Sequence, residues 1–436
     1  MWPGRSIPKG GSLPGGGSLA EFSRPFDRLE CVNCGLCLEV CPTYELGREE
    51  AEGPRGRIRL MELLSRDEER DAPWHRHLEQ CVGCLACQAR CPAGVPYAAM
   101  FDRAQARLVE LRGGLPPLMR WALSSLVARP ERLRRLRAPL RIFIWLRLPR
   151  LLAGLAPLPG LGWLRGLAWL PRRLARPGAV PPPRAGAPQL FFPGCVEGLL
   201  FPATEGALLR LLHAAGGYAL PAGATCCGAL ARHLGDLETS LAQARQNIAA
   251  CEAAGAGALI VSGAAGCGAA LKEYGAWLAA DPEWAERAAR FSARVRDWSE
   301  ALTPALFADS HPPATRRVTY DDACHALHAQ GIAQGPRELI DSLPGLLRIE
   351  LPHAERCCGA GGSYFLRQPT LSRALMAGKL ADLASTGADT LLSANPGCRL
   401  QWEAALAEAG ESVAVRHPAE LLAEALPAEG TQRLRS

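Results

Sequence analysis

The sequence contains two short runs in which four cysteines follow one spacing, C-x2-C-x2-C-x3-C-P. The first run is CVNCGLCLEVCP, and the second, CVGCLACQARCP, repeats every cysteine 50 positions later. The eight thiols are Cys31, Cys34, Cys37, Cys41, Cys81, Cys84, Cys87 and Cys91. Three thiols at every third residue of a loop can reach a small inorganic cluster from one side, whereas the fourth, before proline, points elsewhere. One such run implies a second, and the sequence supplies it.

This spacing is typical of bacterial ferredoxins, in which the fourth cysteine binds the cluster of the other run. We therefore predict two 4Fe–4S clusters with crossed ligands, one held by Cys31, Cys34, Cys37 and Cys91 and the other by Cys81, Cys84, Cys87 and Cys41. Zinc is the alternative, but all-thiolate zinc sites usually pair two separated C-x2-C hooks. Between the runs, Arg55 and Arg57 either place positive charge near the cluster sulfurs or form a solvated helix start.

Cysteine usage indicates metal ligation. The chain has 436 residues and 17 cysteines, an odd number, and residues 1–30 lack the apolar core of a secretory signal. A disulfide framework is therefore disfavoured, and we expect a cytoplasmic protein with reduced thiols. The opening Gly/Pro/Ser tract cannot bury enough apolar surface to offset its ordering entropy, which predicts a disordered tail over 1–22.

A basic belt separates two acidic parts of the chain. Residues 111–184 carry fifteen Arg and one acid, a net charge of +14, so with +6 overall the remainder carries −8. The window 151–170 has eight Leu, but Arg165, Pro157 and Pro159 argue against a helix that spans a membrane. Four Trp among the Arg instead favour a surface that lies on an anionic membrane or docks a partner. The alternative is a helical linker packed on the acidic parts.

A second duplication follows the belt. LFFPGC matches VTYDDAC, TCCG matches RCCG, and ALIVSGAAGC matches TLLSANPGC. The cysteines of the two copies are Cys195, Cys226, Cys227 and Cys267, then Cys324, Cys357, Cys358 and Cys398. Short apolar strands alternate with amphipathic stretches in each copy, which predicts α/β structure. Because the cysteines recur at matching distances in Gly-rich turns, a metal or redox site is favoured over a structural one.

Three residues near these sets are interpreted differently. Cys251 lies in an Ala-rich stretch and is expected to be a small buried apolar residue. His325 and His328 follow Cys324, and their spacing favours a local hydrogen-bond network over donation to a cluster or proton relay.

The combination of these motifs with PRGRI and GCGAALKEYG resembles the iron–sulfur subunit of glycolate oxidase. Broader relatives implied by the resemblance are subunits of lactate-utilisation complexes, anaerobic glycerol-3-phosphate dehydrogenase and heterodisulfide reductase. The fullest repeat in heterodisulfide reductase ends in C-x2-C, whereas Ala264 and Asn395 stand in place of its first cysteine here. The eight repeat cysteines are therefore candidate metal ligands, with the cluster type left open.

The predicted fold is α+β and multidomain: a tail over 1–22, a helical two-cluster ferredoxin-like domain over 23–110, a basic apolar helical linker over 111–185, and two α/β Cys-Cys-Gly domains over 186–310 and 311–436. No dinucleotide fingerprint is visible, so the FAD is expected on a partner subunit. No carboxylate or histidine set recommends itself as a catalytic base.

The resemblance implies an electron-transfer subunit of a flavin-dependent glycolate oxidase that is not catalytic alone. A lactate-oxidising complex and a thiol/disulfide reductase are the alternative functions. The expected partners are the FAD-binding glycolate oxidase subunits, with the inner face of the cell membrane or a quinone as further candidates, and no nucleic acid.

Overall fold

The computed structural model describes residues 31–65, 72–155, 158, 162–176, 178–308, 310 and 315–426. The predicted tail over 1–22 lies outside these residues, as do Pro157 and Pro159 of the apolar window. The described part of 31–185 contains helices and turns, and both parallel sheets lie in the Cys-Cys-Gly repeats. The predicted mixture of helix and sheet is therefore confirmed.

The described residues of the N-terminal region form a 3₁₀ turn, Glu50–Glu52, and five α-helices: α1 Pro42–Gly47, α2 Pro54–Leu64, α3 His75–Glu79, α4 Ala86–Arg90 and α5 Tyr97–Leu111. Proline at the first position of α1 and α2 presets the backbone for a helix start. The apolar side of α2, with Ile58, Met61 and Leu64, is buried and packs into one core with α5. A Cβ at Gly56 would lie 2.0 Å from the Glu50 carbonyl oxygen, so the PRGRI turn requires glycine there.

The basic belt consists of short helices laid along the repeats: α6 Pro117–Trp121, a π-helical turn Ala122–Val127, α7 Pro130–Arg135, α8 Arg137–Trp145, α9 Leu148–Ala153 and a 3₁₀ segment Gly162–Trp169. No helix among the residues that the structure describes is long and apolar enough to cross a membrane. Arg137 donates to the Gly198 carbonyl at 2.6 Å and pairs with Glu205 at 2.6 Å, which attaches the belt to the first repeat.

The first repeat contains a three-stranded parallel sheet in the order β1-β2-β3. Its elements are β1 Gln189–Phe192, α10 Cys195–Leu200, α11 Pro202–Ala214, α12 Ala229–His233, α13 Leu237–Gly255, β2 Leu259–Ser262, α14 Ala265–Lys272, α15 Tyr274–Trp277, α16 Ala285–Arg294, β3 Val295–Asp297 and a 3₁₀ turn Pro304–Phe307. The strands QLFF and LIVS are buried apolar runs, as expected for parallel strands covered by helices on both faces.

The second repeat follows the same order but has a four-stranded parallel sheet, β5-β4-β6-β7. Its elements are β4 Arg316–Asp321, α17 Cys324–Gln330, α18 Gln334–Asp341, β5 Leu346–Arg348, α19 Tyr364–Arg367, α20 Pro369–Thr386, β6 Thr390–Ser393, α21 Pro396–Ala409, β7 Ala414–Arg416 and α22 Pro418–Ala425. The counterpart of β5 in the first repeat is a single bridge between Leu190 and Ala219. Both repeats are therefore parallel α/β units.

The two repeats contact each other through α14 and α17, which carry Cys267 and Cys324. The Ala265 amide donates to the Ala394 carbonyl at 3.1 Å, and Gln330 donates to the Ala265 carbonyl at 2.9 Å. His417 lies 3.0 Å from the Gly263 carbonyl through Nε2 and accepts from the Ala419 amide through Nδ1, so it is a neutral imidazole that donates to Gly263. These contacts bring the cysteine-bearing ends of both sheets together.

Candidate iron–sulfur centres

The first candidate centre is an open cleft of about 450 Å³ in the N-terminal region. Cys31, Cys34, Cys37 and Cys91 line it, together with Cys87 from the neighbouring centre. Gly35 lies inside the first run at φ +84°, a conformation that lets the loop fold back without a Cβ clash. Burial raises the pKa of Cys37 to about 11, and positive charge or a metal would be needed to hold it as a thiolate. The structure thus brings Cys91 of the second run to the first.

The second candidate centre involves Cys41, Cys81 and Cys87. Cys41 is buried, and its sulfur lies 3.4 Å from Thr43 Oγ1. Burial raises the pKa of Cys87, and the thiols of Cys84, Cys81 and Cys41 add to this shift. The Tyr97 hydroxyl lies 3.5 Å from the Cys81 sulfur. The ligand set of Cys81, Cys84, Cys87 and Cys41 stays a prediction.

Arg57 is buried between these thiols. Its guanidinium donates to Thr43 Oγ1 at 2.9 Å and to Glu52 Oε2 at 2.8 Å, and one nitrogen lies 4.0 Å from the Cys41 sulfur. Burial disfavours the charge, but Cys81 and other negative neighbours outweigh it and raise the pKa of Arg57. The solvated helix start is therefore wrong for Arg57. Arg55 does remain part-exposed, paired with Glu50.

Cys84 links the N-terminal region to the second repeat. It is buried in one apolar cluster with Val82, Cys357 and Tyr364. A hydrogen bond with Cys357 lowers the pKa of Cys84 and is the largest contribution to that shift. The two thiol sets are therefore in direct contact, a relation that the cysteine spacing does not reveal.

The first repeat gathers its four thiols at the ends of β1 and β2. The Cys195 and Cys226 sulfurs are 3.4 Å apart, and the thiols of Cys226 and Cys267 raise the pKa of Cys227. Tyr274 donates to the Cys227 carbonyl at 2.9 Å, which fixes the Cys-Cys-Gly turn. Both cysteines of this turn are buried in one apolar cluster.

The second repeat gathers Cys324, Cys357, Cys358 and Cys398 in the same way. The Cys358 and Cys398 sulfurs are 2.8 Å apart. Asn395, which stands where a relative has cysteine, donates to the Cys398 sulfur at 3.4 Å. His325 Nδ1 lies 3.5 Å from the Cys324 sulfur, so this histidine belongs to the thiol site itself.

A buried ion pair next to this second site was not predicted. Lys379 Nζ lies 2.7 Å from Asp321 Oδ1, and both side chains are 1% exposed. Burial opposes the charge of Lys379, but Asp321 and the thiols Cys358 and Cys398 outweigh it and raise the pKa of Lys379. Only an alignment of the two repeats would have marked these positions. Cys251, in contrast, is fully buried among apolar residues, as its Ala-rich context predicts.

The donor sets fit iron–sulfur clusters. Each predicted ligand set consists of four thiols, and soft thiolate donors select iron–sulfur clusters or zinc over hard cations. The thiols of Cys31, Cys34, Cys37 and Cys91 line one open cleft, and Gly35 and Gly83 adopt positive φ in the turns of the two runs. The fold and these sites define an iron–sulfur protein with a two-cluster domain and two Cys-Cys-Gly domains.

Comparison with known proteins agrees with this class. A model of the 4Fe-4S dicluster domain matches residues 28–95, and a model of the cysteine-rich domain matches residues 189–272 and 318–403. The chain is 35% identical to the probable glycolate oxidase iron-sulfur subunit of Bacillus subtilis strain 168, over 93% of this chain and 96% of the relative. It is 33% identical to the glycolate oxidase iron-sulfur subunit of Escherichia coli K12, over 92% and 94% respectively.

A third relative is lactate utilization protein A of Geobacillus kaustophilus, 29% identical over 53% of this chain and 97% of that protein. The identity and coverage of the first two relatives decide the assignment. The chain belongs to the family of glycolate oxidase iron–sulfur subunits, which confirms the resemblance seen in the sequence.

Proposed function

We propose that this chain is the electron-transfer subunit of a flavin-dependent glycolate oxidase complex and is not catalytic alone. The observation that carries the proposal is the convergence of Cys91 with Cys31, Cys34 and Cys37 in one cleft, the arrangement that a two-cluster relay needs. When bound, the clusters supply one-electron transfer, which divides the two electrons of a reduced flavin into single steps. The FAD and the substrate site belong to the partner subunits.

The proposed ligand sets follow the crossed pattern. One cluster takes Cys31, Cys34, Cys37 and Cys91, and the other takes Cys81, Cys84, Cys87 and Cys41. The repeat cysteines form two further candidate cluster sites, Cys195, Cys226, Cys227 and Cys267, and Cys324, Cys357, Cys358 and Cys398. The proposed domain limits are 23–110, 111–185, 186–310 and 311–436.

The test separates a subunit from a complete enzyme. Purified anaerobically by itself, the chain should be brown, free of FAD and unable to oxidise glycolate with an artificial acceptor. Addition of the FAD-binding subunits should restore electron flow from glycolate to the acceptor. Cys34→Ser and Cys84→Ser should block that flow while glycolate still reduces the flavin. Cys251→Ser is the matched control, because Cys251 lies outside every proposed ligand set. Stoichiometric FAD on this chain, or oxidation by it alone, would refute the proposal.

Lactate is the second candidate donor, because the chain also matches lactate utilization protein A over half of its length. The substrate site is proposed to belong to the partner subunits. The choice of donor therefore lies with the FAD-binding subunit. Flavin reduction by glycolate and by lactate, compared in the assembled complex, decides between them.

The belt is proposed to attach the chain to the inner face of the cell membrane, near a quinone acceptor. Trp145, Leu118 and Leu151 are 78%, 76% and 68% exposed, an unusual fraction for large apolar side chains. They lie among the arginines of the belt, and a surface with aromatic, leucine and arginine side chains suits an anionic lipid interface. A protein partner is the competing occupant of this surface.

The vesicle test distinguishes the two occupants. The full chain should bind vesicles of phosphatidylcholine mixed with phosphatidylglycerol, should not bind vesicles of phosphatidylcholine alone, and should be released by salt. Trp145→Glu should weaken binding, whereas Leu347→Glu, at an exposed residue away from the belt, should leave it unchanged. If neither vesicle binds but Trp145→Glu prevents assembly with the FAD-binding subunits, the belt is a protein interface.

A further inference from the structure

The two repeats differ in charge behind otherwise matching thiols. Aligned on the paired cysteines, Lys379 occupies the place of Ile248, and aligned on the first cysteine, Asp321 occupies the place of Phe192. All four side chains are fully buried. The second repeat therefore replaces a pair of apolar residues with an ion pair.

The contacts of Lys379 fix its ammonium group against the thiol-bearing loop. Its nitrogen lies 2.7 Å from Asp321 Oδ1 and donates to the carbonyls of Ala354 and Arg356 at 3.0 and 2.8 Å. Arg356 directly precedes Cys357, so the third contact ends at the Cys-Cys-Gly turn. All three donors of the ammonium are used, which leaves the charge no freedom to move.

Stability does not explain this ion pair. Removing two charges from water is costly, and apolar residues of similar volume at such places are often equally stable or more so. The first repeat shows that this fold accepts Phe192 and Ile248 at the matching positions. The charges must therefore serve the thiol site that they border.

Electrostatics supplies the role. A positive charge near the sulfurs of a cluster stabilises its more negative, reduced form, and a negative charge does the opposite. Lys379 is close enough to act, because its ammonium group donates to the carbonyl of Arg356, the residue before Cys357. Asp321 ends β4 three residues before Cys324 and accepts from Ser393 at 3.1 Å.

We propose that Lys379 and Asp321 are positioning residues that set the reduction potential of the second repeat's thiol site and make it different from the first. The second site, which touches Cys84, is then the repeat that exchanges electrons with the N-terminal domain. This inference rests on the proposed function, because it requires a cluster bound at Cys324, Cys357, Cys358 and Cys398.

The experiment is a potentiometric titration of the full chain followed by EPR. Cys398→Ser and Cys267→Ser assign the signals of the second and first repeats. Lys379→Met should lower the midpoint potential of the Cys398-dependent signal by at least about 59 mV, which is a tenfold change in the equilibrium constant for one-electron reduction. Asp321→Asn should raise this midpoint potential. Ile248→Met, the matched change in the first repeat, should leave the midpoint potential of the Cys267-dependent signal unchanged.

The outcomes separate this inference from the proposed function. An unchanged midpoint in both Lys379→Met and Asp321→Asn with full iron content overturns the inference alone, as do equal shifts of both repeat signals. If Lys379→Met fails to fold, Asp321→Asn and the charge-retaining Lys379→Arg decide. Asp321→Asn should shift the midpoint potential strongly, and Lys379→Arg should not. If no EPR signal depends on Cys398 and the iron and sulfide contents are too low for a cluster in this repeat, the cluster proposal for the second repeat fails as well.

Discussion

Replacement of Arg57 tests how the N-terminal domain holds its two cysteine runs together. Arg57 is 1% exposed and bonds to Thr43, which follows the first run, and to His77, which precedes the second. It also pairs with Glu52 at 2.8 Å. Arg57→Met keeps most of the side-chain volume but removes these bonds. The change should therefore loosen both runs at once.

The magnitude follows from the contacts. Loss of one partner of a buried ion pair costs about 3–5 kcal/mol, because the remaining charge stays buried. Glu52 also contacts His77, so part of its charge remains compensated, and we expect the lower end, about 3 kcal/mol. At 1.4 kcal/mol per factor of ten, that loss raises the equilibrium constant for local opening roughly a hundredfold. Arg55→Met, at a part-exposed pair, should cost less than about 1 kcal/mol.

Local stability and cluster potential are measured separately. Hydrogen exchange of amides in 54–64 reports the local opening free energy and does not require two-state unfolding of the whole chain. Arg57→Lys keeps the positive charge beside Cys41 but loses the guanidinium fork, so it should lower stability while the potential of the second-run cluster stays near that of the parent. Arg57→Met should lower both stability and potential.

Three results would refute this reasoning. Exchange in 54–64 that is equally slow in Arg57→Met and the parent would show that the buried bonds contribute little. An unchanged EPR midpoint in Arg57→Met, with both clusters present, would show that the charge does not act on the cluster near Cys41 and Cys81. Equal effects from Arg55→Met would assign the change to the surface of the helix.

Three further predictions follow from other parts of the chain. Cys41→Ser should disturb the EPR signal of the cluster held by Cys81, Cys84 and Cys87 more than that of the first run, and the reverse pattern would refute the crossing. Salt alone should release the assembled complex from membranes, and a need for detergent would revive a spanning segment. Burial lowers the pKa of His417 to about 4, so the unfolded state binds more protons between pH 6.5 and 4, and stability should fall by about 3 kcal/mol over that range. Acid denaturation of His417→Gln should lack this component.

The sequence was most informative where chemistry restricts spacing. The cysteine runs and the Cys-Cys-Gly duplication could be predicted because thiols that bind the same metal cluster must be close together, and this restricts their spacing in any fold. Contacts between domains had no such local signal. The approach of Cys84 to Cys357 and the pair of Asp102 with Arg232 depend on how separate helices dock. Lys379 lies in a long helix whose pattern gives no sign that its charge is buried, and only comparison with Ile248 marks it.

The contacts also arrange the thiol sets in one order along the molecule. The N-terminal domain meets the second repeat at Cys84 and Cys357. The second repeat meets the first where the helices of Cys324 and Cys267 pack together.

The first repeat is covered by the belt, because Leu133 packs into one core with Cys195, Cys226 and Cys227. The belt also reaches the second repeat, where Trp169 donates to Gln401 at 2.8 Å, and Arg232 of the first repeat pairs with Asp102 of the N-terminal domain. Two repeats with equal reduction potentials would give electron transfer between them no preferred direction. The charges of Lys379 and Asp321 make the thiol site of the second repeat differ from that of the first. Under this proposal, that difference is the reason why a costly buried ion pair is found in one copy.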